Sequence, residues 1–123
     1  MNVFLWVLQV ALAAMFAMAG GMKVSQPKEK LQPNMPWTDD FSAGTVKLIG
    51  VMELLAAVGL VVPALTGIAT WLTPLAATGL VVLMLLAALT HVRRKEPAGI
   101  ALTSALLVVA AVVAWGRFGP YAF

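Results

Sequence analysis

Four apolar runs, each close to twenty residues long, decide most of what this chain can become. The hydrocarbon core of a bilayer is about 30 Å thick, which a helix rising about 1.5 Å per residue crosses in about 20 residues. The runs cover residues 2–22, 44–62, 68–91 and 98–115 of a 123-residue chain, and the only substantial loop is 23–43. Composition agrees, with 62% hydrophobic and 11% charged residues, against about 25% charged in an ordinary soluble domain. One small core cannot hide that much apolar surface, so it has to face lipid. In lipid every backbone N–H and C=O must be paired within the protein. Runs this uniformly apolar, in a chain too short for a barrel, achieve that only as helices. The expected architecture is an all-α, antiparallel four-helix transmembrane bundle forming a single integral membrane domain.

Prolines and charges set the boundaries. The loop carries Pro27, Pro33 and Pro36 and cannot be one continuous helix. Its Trp37 and Phe41 suit a segment lying against headgroups, and Asp39-Asp40 reads as a turn or a cap. Pro63 is expected to end the second helix, and Pro74 to kink the third or reset its start. Pro97 suits the first turn of the fourth, with Glu96 favourable at its N-terminus. The first run also has a reading as a cleaved signal peptide, with Ala17-Met18-Ala19 as the small-residue site. No basic residue precedes it and it is longer than an ordinary signal core, so a retained span is preferred. The echo between AAVGLVV at 56–62 and AATGLVV at 76–82 has flanks that do not match. It is read as the narrow alphabet of membrane helices rather than a duplication.

Lys23, Lys28 and Lys30 lie in the first loop and Arg93, Arg94 and Lys95 between the third and fourth runs, with only Arg117 on the other side. Basic loops stay cytoplasmic, so both termini are expected to be extracytoplasmic. Trp6, Trp71, Trp115 and Tyr121 then share the outer side, as an aromatic belt would.

Several chemistries are excluded or left without residues. The chain has no cysteine and one histidine, so it offers no disulfide, thiol redox chemistry or thiolate metal site, and no pair of axial histidines for a haem. Its pI near 9.7 comes from eight basic residues that mostly flank the spans, not from a tract suited to nucleic acid. There is no glycine-rich phosphate loop, no nucleophile beside a base and no paired carboxylate site. Neither a cofactor nor a metal is expected on these residues, and none is assigned a catalytic role.

Glu53 demands explanation because it sits mid-span. A charged residue at the bilayer centre costs about 2.5–3.5 kcal/mol even on lenient insertion scales, so it should face the bundle interior. Counting depth from the helix ends places Thr103 and Ser104 near its level, with Gln9 and Thr78 somewhat further out. Glu53, Gln9, Thr78 and Ser104 are therefore the candidate ligand or proton site, and the competing reading is an interhelical hydrogen bond that fixes packing. No cation shares the helical face of Glu53, so a neutral carboxyl is expected; an ionised one would need a counter-charge from another helix, Lys23 or Arg117 first. Lys47, His91 and Arg117 form an interfacial polar set. Lys47 is read as snorkelling, His91 as an interfacial residue beside Arg93 and Arg94, and Arg117 as an anchor in the headgroups. The methionines are read as packing filler.

The stretch KLIGVMELLAAVGLVVP, Lys47 to Pro63, with Gly50-x-x-Glu53 and Gly59-Leu60 before the proline, resembles the DoxX-like family of small four-helix bacterial membrane proteins. TPLAATGLVVLMLLAALTHVRRKE at 73–96 and WGRF at 115–118 continue the resemblance over nearly the whole chain. It implies a multi-pass protein of the bacterial inner membrane. DoxX is named for a subunit of a thiosulfate:quinone oxidoreductase, and relatives occur as membrane partners in redox or stress-defence complexes. Thiol-based roles do not carry over to a chain without cysteine. The resemblance implies a binding or scaffold subunit whose partners are the lipid bilayer and a membrane protein or a second copy. The alternatives are a component that binds quinone or another small lipophilic ligand, and a small proton-coupled transporter.

Overall fold

A computed structural model describes residues 2–31, 35, 36, 38 and 41–122; Pro33, Trp37, Asp39 and Asp40, singled out above, lie outside the described residues. The chain forms α1 (Asn2–Ser25), a single turn α2 (Lys28–Leu31), α3 (Ala43–Thr66), α4 (Leu72–Arg93) and α5 (Pro97–Phe118). The long helices pack antiparallel, α1 on α3, α3 on α4 and α4 on α5, and α1 meets α5 to close the ring. All four are long and apolar enough to cross a membrane. Between 17% and 33% of each span's most apolar stretch is buried, so most of the apolar surface is left for lipid. The interior is Leu12, Phe16, Ala57, Leu60, Ala77, Leu80, Met84, Ala110 and Val113.

Four helix ends differ from the sequence reading by three or four residues, one of them the end of α5, which runs past 115 to Phe118. Pro63 does not end α3, which continues to Thr66 and closes on Gly67 in the left-handed region at φ 71°. The proline ring has no N–H for the carbonyl of Gly59 and crowds it. The Thr73 hydroxyl, from the first turn of α4, donates to that carbonyl at 3.0 Å. At the next residue of α3, the Gln9 amide of α1 donates to the Leu60 carbonyl at 2.8 Å. Side chains from neighbouring helices thus serve the turn that the proline disrupts, which is how proline is tolerated within lipid. Pro74 resets the start of α4 to Leu72, where a missing N–H in the first turn leaves no intrahelical bond unmade. The first helix runs past the expected end at 22 to Ser25, which brings Lys23 into its last turn.

This account predicts a coupling. Thr73→Val should lose about 1 kcal/mol, the scale of interhelical hydrogen bonds measured in membranes. In a Pro63→Ala background, where residue 63 regains its N–H, the same change should be close to neutral. Equal losses in both backgrounds, measured by denaturant unfolding in mixed micelles, would show that Thr73 does not serve the proline turn.

Candidate functional site

Glu53 projects from α3 into the bundle and is 2% exposed. Its partner is Lys23 of α1, whose Nζ lies 2.5 Å from Oε1 and which is 6% exposed. The approach follows from helix geometry. Gly20 and Gly50 face each other where α1 crosses α3: a Cβ on Gly20 would stand 2.6 Å from the Gly50 carbonyl oxygen. Lys23 lies one turn from Gly20 toward the basic end of the bundle, and Glu53 one turn from Gly50 in the opposite direction. The two Cα positions are therefore offset by about 9 Å along the axis, taking 1.5 Å per residue. Side chains lean toward the N-terminus of their own helix. In an antiparallel pair this tips Lys23 inward and Glu53 toward the basic end, so the two heads meet over the glycine contact.

The sequence reading found no cation on the helical face of Glu53 and named Lys23 or Arg117 as the counter-charge to look for on another helix; Lys23 stands in that place. The polar layer foreseen around Glu53 does not assemble. The Thr78 hydroxyl donates to Pro74 of its own helix at 2.9 Å, and that of buried Thr103 to Gly99 at 2.7 Å. Ser104 and Thr78 are exposed on the outside of the bundle. Helix rotation, which depth counting along separate helices ignores, turns them away.

Gln9 belongs to a second polar cluster at the opposite end. It is fully buried, donates to Leu60, and accepts from Nε of Arg117 at 2.6 Å. Arg117 also donates through Nη1 to the Asn2 side chain at 2.6 Å and to the Tyr121 carbonyl at 2.9 Å. Its guanidinium carbon lies 5.9 Å from the centre of the Trp6 ring, a cation–π distance. Arg117 is 3% exposed, not extended into the headgroups as its position in the sequence suggested. It ties both ends of the chain together beneath an aromatic rim in which Trp115 and Tyr121 meet edge to face at 6.1 Å. Antiparallel packing places the start of α4, with Trp71, at this same end.

Lys47 is exposed at the basic end. His91 donates through Nδ1 to the Glu96 carboxylate at 2.9 Å across the α4–α5 turn, and Arg94 Nε lies 3.3 Å from the same carboxylate oxygen. The hydrogen bond from His91, with Arg94 beside it, holds the Glu96 carboxyl below the ordinary carboxylate range. Gly99 leaves the imidazole its space, since a Cβ there would collide with the ring.

Two concavities accompany these clusters. A cavity of about 190 Å³ at the basic end is bounded by Lys23, Gln26, Glu29 and Lys47. An apolar groove of about 690 Å³ runs between α3 and α4 on the lipid side. Among the described residues no three His, Cys, Asp or Glu gather as metal ligands.

Lys23 is the site residue that the sequence reading did not choose, although it was named as a counter-charge to examine. Its signal lay in matched spacing: Gly20-x-x-Lys23 on one helix and Gly50-x-x-Glu53 on the next.

A model of the DoxX-like family matches residues 7–113, which take in all of α3 and α4 and most of α1 and α5. No curated protein and no solved structure matches the chain.

Proposed function

The chain belongs to the DoxX-like family, and we propose that it serves as a binding or scaffold subunit of a membrane complex, with no chemistry of its own. The observation that carries this reading is the direction in which the buried polar groups point. Lys23 meets Glu53, Gln9 meets Leu60 and Arg117, and Thr73 meets Gly59, each joining two different helices. Such contacts hold a bundle in one shape and leave a long apolar exterior for partners. The unlike reading, in which Glu53, Gln9, Thr78 and Ser104 jointly hold a ligand, has less support because these four are spread over separate faces and ends.

The orientation that accords with the positive-inside rule puts 23–43 and the α4–α5 turn in the cytoplasm and both termini outside. With no native cysteine, single-cysteine labelling from each side tests it directly, and labelling of either basic loop from outside the cell would reverse the assignment.

The function itself is tested by mild extraction from the native membrane. The expected result is a membrane-protein partner held in fixed ratio, whose level or activity falls when this chain is deleted. A quinone retained at one per chain without a protein partner would replace the scaffold reading with that of an enzyme component. Proton-driven solute uptake by the purified chain alone would replace it with a transporter.

A further inference from the structure

The cavity at the basic end differs from the rest of the interior. Lys23, Gln26, Glu29 and Lys47 converge on it from α1, α2, α3 and the α1–α2 junction, and Leu31 and Val46 complete its wall. A cavity holds water when it is polar and has room, at about 30 Å³ of liquid per molecule. This one measures about 190 Å³, and four of the eight residues around it, Lys23, Gln26, Glu29 and Lys47, carry polar or charged heads. Its inner wall is Lys23, which carries the contact on to Glu53. Beyond Glu53 the character changes. Leu12, Phe16, Ala57 and Leu60 pack together, and the next polar side chain along the α1–α3 seam is Gln9 at the Leu60 carbonyl. Seven residues of α3, about 10 Å at 1.5 Å per residue, separate Glu53 from that point.

We propose that the cavity is a water-filled vestibule connecting the Lys23–Glu53 pair to the basic side of the membrane alone, so that Glu53 is a proton-binding site open to one compartment and sealed from the other. The ionisable groups that face it are Lys23 from α1, with Glu29 from α2 and Lys47 from α3 around the vestibule. The buried side chains of α4 are Thr73, Pro74, Ala77, Leu80 and Met84, none ionisable, and the one ionisable buried side chain of α5, Arg117, lies at the opposite end with Gln9 and Asn2. The inference goes beyond the scaffold reading and holds whether or not that reading does. It also means that one bundle has no through-path for protons.

The test uses the full-length chain in sealed vesicles of each orientation, with Lys95→Cys in the α4–α5 turn marking the basic side. A charged, membrane-impermeant methanethiosulfonate should modify Val46→Cys from that side at least about tenfold faster than from the other, because a thiol reacts as the thiolate and only where water reaches it. Ala57→Cys, beyond the pair, should resist modification from both sides. The unaltered chain supplies readouts that need no cysteine variant to fold. A small water-soluble acylating reagent should reach Lys23 from the basic side only, as mapped by peptide mass spectrometry. The infrared bands of the Glu53 carboxyl, assigned by their loss in Glu53→Gln, should follow the pH of the basic side and ignore the other. Equal modification of Val46→Cys from both sides, modification from neither, or bands that follow the pH of the far side or of no side would overturn the proposal.

Discussion

Lys23→Met should destabilise the folded bundle by about 3–5 kcal/mol, and Glu53→Leu by less because Lys23 borders the cavity at the basic end, whereas the double variant should recover most of the Lys23→Met loss. Each single change breaks the contact between Lys23 and Glu53, and Lys23→Met leaves the buried carboxyl without the ammonium that faces it. The Glu53 side chain is 2% exposed, so without Lys23 it cannot regain its hydration unless helices move or it loses its charge. Removing both charges takes away the desolvation cost along with the attraction, and well-packed apolar replacements for buried ion pairs are often neutral or better. Glu53→Gln should fall between these limits, since its amide oxygen still accepts from Lys23 but does not neutralise it. Unfolding in mixed micelles, arranged as a double-mutant cycle, measures the coupling. If the double variant loses the sum of the two single losses, the pair does not exist in the membrane.

Gly20→Leu should prevent the close α1–α3 contact, losing more than about 3 kcal/mol, and Gly20→Ala should lose about 1–3 kcal/mol. The added Cβ would stand 2.6 Å from the Gly50 carbonyl oxygen and 3.1 Å from the Leu54 backbone nitrogen. Backbone cannot step aside as a flexible side chain does, so the helices must part, and the Lys23–Glu53 contact parts with them. Gly21→Ala is the control: a Cβ there meets nothing within 4 Å. It should instead gain up to about 1 kcal/mol from helix propensity. If Gly20→Ala and Gly21→Ala behave alike, the glycine contact has no part in holding α1 against α3.

The candidate site was only partly legible before the structure. Burial of Glu53 followed from the cost of a charge in lipid, and the need for a counter-charge from another helix was stated as the condition for ionisation. What depth counting got wrong was azimuth. Thr78 and Ser104 have suitable heights but face outward, while Lys23 has an interfacial position and reaches inward because of its lean along the helix axis. Arg117 was misjudged for a related reason. A basic residue at a span end looks like a headgroup anchor, and only the proximity of Asn2, Gln9 and Trp6 turns it into the buried tie between chain ends. Pro63 was read as a helix stop because one helix alone cannot satisfy the Gly59 carbonyl; a threonine on α4 does so.

By itself, then, the sequence determined the four spans, their all-α character and their antiparallel order. Those properties rest on run length, on hydrophobicity and on the rule that lipid leaves no backbone group unpaired, all of which are local to each segment. The tertiary structure alone decided which helix faces meet. Helix rotation about its axis depends on close contacts such as Gly20 against Gly50, and on polar side chains finding partners in other helices. In spans as uniformly apolar as these, no amphipathic stripe marks the inward face in advance. Partner choice for Glu53, Gln9 and Arg117 is therefore a property of the assembled bundle, set by three-dimensional proximity between residues 30 to 115 positions apart in the chain.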